Sequence, residues 1–189
     1  MKKVGILGGT FNPPHIGHCI VANEVYHALQ LDEVRFMPNA IAPHKVVEHA
    51  ATDEQRLQMV QLAVQGVPHL TVETIELQQG GVSYSYETMK ALVAREPDTE
   101  FYFIIGGDSV QYLHTWYEID QLMELVAFVG VDRPGAKAQS TYAVTMVDIP
   151  QIDLSSSLIR ERLKHNESVA YLLPEKVEQF IRKERIYGA

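Results

Sequence analysis

The chain of 189 residues holds a single cysteine, Cys19. One thiol excludes an internal disulfide framework and a cysteine-based zinc site, and it fits a reducing cytosol, so a cytoplasmic location is expected. Long apolar runs are missing as well. None approaches the roughly 20 residues that a helix needs to cross a bilayer, so no membrane partner is expected. The first nine residues carry Lys2 and Lys3 and then a short apolar stretch. A secretory signal needs a longer one and a small-residue cleavage site, so this segment reads as the first strand of a fold. Positive charge is also scarce: 16 basic residues stand against 24 acidic ones, a formal −8. Such a field repels nucleic acid, whose binding rests on neutralised phosphates, and there is no basic stripe to offset it. A small polyanion is still admissible wherever cations and backbone donors gather locally. No Gly-x-Gly-x-x-Gly fingerprint is supplied by Gly5, Gly8 and Gly9. No repeat, low-complexity tract or linker divides the chain. With 46% apolar and 21% charged residues it has the balance of an ordinary globular protein, and residues 1–189 are expected to form one domain.

What is present is an alternation of strand and helix. Stretches 3–7, 34–37, 70–77, 101–105, 127–131 and 145–149 read as strands. Helices are expected over 16–29, with Val21, Val25, Ala28 and Leu29 on one stripe, and after Thr52, whose spacing to Gln55 forms a capping box. Further helices are expected over 85–94, from 108 up to 125, over 156–164 and over 175–184. The pattern predicts an α/β fold, a Rossmann-like doubly wound parallel sheet with helices on both faces. Ligands in such folds bind beyond the carboxyl ends of the strands, near a topological switch point.

The first strand ends in Gly8-Gly9-Thr10-Phe11-Asn12-Pro13-Pro14-His15-Ile16-Gly17-His18. Paired glycines let backbone approach a ligand without a Cβ in the way. The prolines stiffen the loop and leave a helix to start near His15. At its N-terminus, free N–H groups and the helix dipole favour an anion, and imidazoles three residues apart can donate to phosphate oxygens from one face. Two histidines alone would suit half a metal site equally well, and two glycines alone are only a turn. It is their combination at a strand-to-helix junction that makes a phosphate cradle.

This segment resembles the signature of the nucleotidylyltransferase superfamily, with its histidine-x-glycine-histidine core, in the form found in bacterial nicotinate-nucleotide adenylyltransferases. A second segment, Asp153-Leu154-Ser155-Ser156-Ser157-Leu158-Ile159-Arg160, taken alone reads first as an ordinary N-cap with a surface arginine. It is similar to the family's second motif, which binds the triphosphate of ATP, with Ser157 where threonine is usual. The third, Gly106-Gly107-Asp108, puts a carboxylate at the mouth of the site. It can cap the next helix, accept from a ribose or hold magnesium through water; in the resembling family it lies against the ATP sugar.

The fourth piece is Trp116-Tyr117 in a polar context, which suits an exposed stacking platform. The resemblance implies that Trp116 stacks on a pyridine ring, with backbone N–H groups around Trp116, Tyr117 and Tyr84-Ser85 meeting the ring carboxylate. Asn39 and Lys45 follow the second strand, and the resemblance makes Lys45 a candidate for the acceptor phosphate. Arg133-Pro134 is a weaker candidate for a cationic lid. The resemblance thus implies transfer of AMP from ATP to nicotinate mononucleotide, giving nicotinate adenine dinucleotide and pyrophosphate. ATP would meet Gly8, Gly9, Thr10, Phe11, His15, His18, Gly106, Asp108, Ser156 and Arg160, with His15, His18 and Arg160 stabilising the developing charge. Magnesium would arrive with ATP, held mainly by the phosphates near Asp108, with no protein-only metal site. A homo-oligomer is compatible with the family. Nicotinamide mononucleotide or phosphopantetheine as acceptor, and a non-catalytic nucleotide sensor, are the rival readings.

Overall fold

A computed structural model of the chain describes residues 1–41, 51–132, 140–150 and 152–189. Strands β1 (Lys2–Gly9), β2 (Glu33–Pro38), β3 (Leu70–Val72), β4 (Thr99–Gly106), β5 (Ala127–Asp132) and β6 (Val144–Asp148) join in one sheet of order β3-β2-β1-β4-β5-β6. Every pairing is parallel, with Ile6 opposite Arg35 on one side and Phe103 on the other. Parallel strands buried on both faces read as continuous apolar runs, which is why Val4–Leu7 and Phe103–Ile105 are buried without alternation.

Helices α1 (Ile16–Ala28) and α2 (Asp53–Val64) cover one face, where Ala22, Val25, Val60 and Val64 pack against Leu7, Phe36 and Ile104. Helices α3 (Ile75–Gln79), α4 (Ser85–Arg95), α5 (Gly107–Gln111) and α6 (Ile119–Leu125) cover the other, with Met89, Leu92, Val110 and Leu122 against Ile6, Phe101 and Phe103. A third cluster joins α2 to α7 (Ser156–Lys164) and α8 (Glu175–Lys183) through Met59, Ala63, Ile159, Leu163, Val177 and Ile181. From β1 the chain winds outward through β2 and β3 and then crosses back to β4 on the other side of β1. The loops leaving β1 and β4 therefore part at the centre of the sheet, at the switch point.

Three expectations need correcting. The strand expected over 70–77 stops at Val72, and Ile75–Gln79 is a helix. The cause lies at Glu73, whose carboxylate accepts the Ile75 N–H at 3.1 Å while pairing with Arg35 and Arg95, so the chain turns out of the sheet. The helix expected from 108 to 125 is interrupted. After α5 comes a 3-10 turn at Leu113–Thr115, then Trp116 is extended and Glu118 takes a left-handed φ of 50° before α6 begins. The buried stripe of α1 centres on Ala22 and Val25, leaving Ala28 exposed. The capping box stands as expected: Thr52 Oγ1 accepts Gln55 N–H at 3.2 Å and Gln55 Oε1 accepts Thr52 N–H at 3.0 Å.

Candidate active site

The loop after β1 is held from outside at every turn. Its carbonyl oxygens are taken by side chains from other elements: Arg56 Nη1 donates to Thr10 O at 2.7 Å, Arg160 Nη1 to Asn12 O at 2.8 Å, and Ser156 Oγ to Pro13 O at 2.8 Å. Arg56 is only 3% exposed. It also donates to Asn39 O at 2.6 Å and to Asp53 at 2.7 Å, so one guanidinium ties the loops after β1 and β2 to α2. Asn12 Oδ1 accepts from Ala51 N–H and from the Tyr187 hydroxyl, which the packing of α8 on α2 brings in from the far end of the sequence. Burial pushes that hydroxyl's pKa up, partly countered by the nearby Arg160 and Arg56.

His15 is the N-cap of α1 and stands outside the helix, with φ −137° and ψ 173°. Its ring stacks on His18 with centroids 3.7 Å apart. Gly17 permits this, because a Cβ there would come within 3.0 Å of the His15 ring. Burial lowers the His15 pKa to about 4, so this imidazole is neutral near pH 7. His18 Nδ1 accepts the backbone N–H of His15 at 3.0 Å. In a neutral ring that places the proton on Nε2, making His18 a hydrogen-bond donor.

A cavity of about 990 Å³ opens at the switch point. One side is formed by Gly8, Gly9, His18 and Asn39, the other by Gly106, Asp108, Tyr84, Ser85, Trp116 and Tyr117. Gly107 lets the Asp132 carboxylate lie against the junction of β4 and α5, since a Cβ would come within 2.7 Å of its carboxyl carbon and displace it. Trp116 differs from the exposed platform expected of it: it is half-buried and held edge-on by Phe103 and Phe128 at 6.0 and 6.1 Å, and it still lines the cavity. Tyr84 and Tyr117 remain exposed, with their rings 5.0 Å apart.

Thus the structure brings ten of the expected residues to the wall, namely the ten just given for its two sides. Thr10, Phe11, His15, Ser156 and Arg160 are not among the residues that line it. Phe11 is a correction. Its side chain is core, 2% exposed, packed edge-on against His18 and tilted against Phe36, so any contact with a nucleotide falls to its backbone. Lys45 and Arg133 lie outside the described residues. Among the described residues the cavity wall carries no lysine or arginine, so an anion there meets His18 and the backbone at Gly8 and Gly9, while the His15, Ile16 and His18 N–H groups at the start of α1 are bonded to His18 Nδ1, Leu172 O and His15 O.

Among the described residues no group of three or more His, Cys, Asp or Glu is placed to hold a metal. Asp108 is exposed at the mouth of the cavity, a hard oxygen donor of the kind that suits magnesium. Arg56, Asn12, Tyr187 and Glu76 were not among the expected site residues. For Arg56 a signal was available: it falls on the apolar stripe of α2 with Met59, Val60 and Ala63.

A doubly wound parallel sheet with a histidine-bearing strand-to-helix junction at its switch point defines a nucleotide-binding α/β protein. The chain belongs to the cytidylyltransferase-like family, whose model matches residues 6–162, and within it to the nicotinate-nucleotide adenylyltransferases. It is 53% identical over 189 residues to a probable nicotinate-nucleotide adenylyltransferase of Geobacillus thermodenitrificans, covering all of this chain and 88% of that one. It is 51% identical over 187 residues to its Bacillus anthracis counterpart of the same name, covering 99% of each. Among solved structures it shares the fold of the Plasmodium falciparum nicotinic acid mononucleotide adenylyltransferase complexed with NaAD, at a TM-score of 0.82 and 18% identity over 100% of this chain and 98% of that one. No helix among the described residues is long and apolar enough to cross a membrane.

Proposed function

We propose that the protein transfers AMP from ATP to nicotinate mononucleotide, releasing pyrophosphate. The observation that carries this reading is the cavity at the switch point, lined by Gly8, Gly9 and His18 of the strand-to-helix junction and by the aromatic residues Tyr84, Trp116 and Tyr117. The full-length likeness to nicotinate-nucleotide adenylyltransferases supports the same choice of acceptor.

An oxygen of the acceptor phosphate attacks the α-phosphorus of ATP. The new P–O bond forms as the bond to the bridging oxygen breaks, and pyrophosphate leaves with the electron pair. The acceptor oxygen is already anionic near pH 7, so no protein base or covalent intermediate is needed, and the protein's work is positioning and charge stabilisation. His18 Nε2–H donates to the α/β-phosphate oxygens, supported by the positive end of the α1 dipole. His15 backs it as a neutral ring. Arg160 and Ser156 brace the loop through Asn12 and Pro13; the Arg160 N–H groups not used there reach the outer phosphates. Gly106 and Asp108 face the sugar. Trp116 stacks on the pyridine, while Tyr84, Ser85 and Tyr117 surround its carboxylate. Asn39 and Lys45 serve the acceptor phosphate. Asp108 would help to hold a magnesium ion brought by ATP, which would supply charge neutralisation on the phosphates.

The test is pyrophosphate release from ATP and magnesium with nicotinate mononucleotide, nicotinamide mononucleotide and phosphopantetheine offered separately. Strong preference for the nicotinate acceptor is expected. Release with phosphopantetheine alone would remove the pyridine pocket, and silence with all three from protein that binds ATP would favour a nucleotide sensor.

A further inference from the structure

Glu76 is a carboxylate that neither the core nor the reaction described above employs. It is 5% exposed, yet it lines a cavity that must admit anions. A buried acid is costly unless hydroxyls or N–H groups satisfy it. Here Thr88 Oγ1 donates to Glu76 Oε1 at 2.8 Å, and the Ser83 hydroxyl donates to the same carboxylate. Ser83 Oγ in turn accepts Ala40 N–H at 3.2 Å, and Ser83 N–H donates to Ile41 O at 3.0 Å. One carboxylate therefore joins α3, the root of the loop after β2, and the first turn of α4.

The direction of these bonds matters. An ionised carboxylate only accepts, so the Ser83 hydroxyl donates to it and leaves its lone pairs for Ala40, while Thr88 Oγ1 is closer to Glu76 Oε1, at 2.8 Å, than to its other acceptor, Tyr84 O, at 3.2 Å. Ser83 and Thr88 bracket Tyr84 and Ser85, the segment that lines the aromatic side of the cavity. Helix α3 is itself fixed by Glu73, whose Oε1 accepts Ile75 N–H while Arg35 and Arg95 hold its carboxylate. Burial moves the Glu76 pKa upward, and the two hydroxyl donors work against that shift.

We propose that Glu76 is a positioning residue for the acceptor: by orienting the Ser83 and Thr88 hydroxyls it fixes the 83–85 rim against which the pyridine ring is set. This rests on the function proposed above. Glu76 touches no reacting atom, so its effect falls on acceptor affinity and leaves ATP affinity alone.

The test uses Glu76→Gln in the full chain, a near-isosteric change that sets an amide donor where two donors already point. Trp116 is the only tryptophan, so its fluorescence can follow titration with nicotinate mononucleotide in the absence of turnover; calorimetry gives the ATP affinity. The expected result is acceptor binding about tenfold weaker, as for one lost charge-assisted hydrogen bond, with ATP binding changed less than about twofold. Ser83→Ala should add little in the Glu76→Gln background, because both changes break one chain of bonds. Unchanged acceptor binding, equal weakening of both ligands or full additivity with Ser83→Ala would each overturn the assignment. Should Glu76→Gln fail to fold, Ser83→Ala in the native chain must show the acceptor-only loss, and its absence overturns the proposal equally. A native chain that binds ATP but not nicotinate mononucleotide would bring down the functional reading as well; a native chain that binds both, with a variant that matches it, removes only the role of Glu76.

Discussion

On the side of the cavity proposed to take the phosphates, the carbonyls of Thr10, Asn12 and Pro13 are each bonded by a side chain from another element, and His15 and His18 stack on each other. On the acceptor side, Tyr84, Tyr112 and Tyr117 stand 43%, 60% and 49% exposed, and only Trp116 is braced by core rings. The first side is therefore assembled before any ligand arrives. Donors already aimed at a developing charge need no reorganisation during reaction, which suits the place where phosphate bonds are made and broken. The second side leaves aromatic surface for a planar ring to cover, and recognition there gains from the burial itself. If this division is right, changes on the phosphate side strike turnover or folding, and changes on the acceptor side strike one Michaelis constant.

The largest effect is expected from His18→Ala. Loss of a donor aimed at the α/β-phosphates should reduce kcat by about a hundredfold or more, the range for removing one preorganised donor. The thermal midpoint should move little, since His18 is only half-buried. Near-normal turnover would take His18 out of the chemistry and break the comparison at its strongest point.

Arg56→Met comes next, and here the phosphate side should answer in stability. The substitution leaves Thr10 O and Asn39 O without their guanidinium donors in a buried place. A cost of about 3 kcal/mol is expected for stripping a buried charge network of one partner, read as a lower denaturant midpoint. A variant as stable as the native chain would mean that the loop needs no outside anchor.

Trp116→Ala should raise the KM for nicotinate mononucleotide about tenfold, the loss of one aromatic stacking partner at about 1–1.5 kcal/mol, with the KM for ATP unchanged. A rise in both constants would show that the two sides are not separable.

Much of this division was legible in the residues, and where it was not the reason is physical. The apolar runs of β1 and β4 and the glycine pairs at their ends marked the switch point, because central parallel strands have no polar face to alternate with. Residues 70–77 misled because Leu70-Thr71-Val72-Glu73 alternates with a period of two and Thr74-Ile75 continues with β-branched residues, as a strand does. What turns the chain is Glu73 drawn onto Arg35 and Arg95, partners that no local pattern names. The bend at Glu118 that delivers Trp116 to the cavity contains neither glycine nor proline, so nothing marked it. Tyr187 reaches Asn12 only because α8 packs on α2, a contact between distant segments.

The smallest effect sharpens the electrostatics of the phosphate side. His15 ionises at about 4 in the fold, lowered by burial from an ordinary value of 6.5. As the pH falls below 6.5 the unfolded chain takes up a proton that the folded chain refuses, so stability is fully present above that value and drains away toward pH 4. By pH 5.5 the loss from this one group should be about 1 kcal/mol. His69 is also lowered by burial and titrates in the same direction, while Glu96, held down to about 2 by its bond from Arg35, acts only in more acid solution. The informative quantity is therefore the difference between the native chain and His15→Gln, followed by denaturant unfolding at pH 7.5 and 5.5. The native chain should lose about 1 kcal/mol more than the variant across that interval. Parallel losses would mean that His15 takes up its proton in the fold as readily as in the unfolded chain, and burial would then no longer hold the ring stacked on His18 neutral.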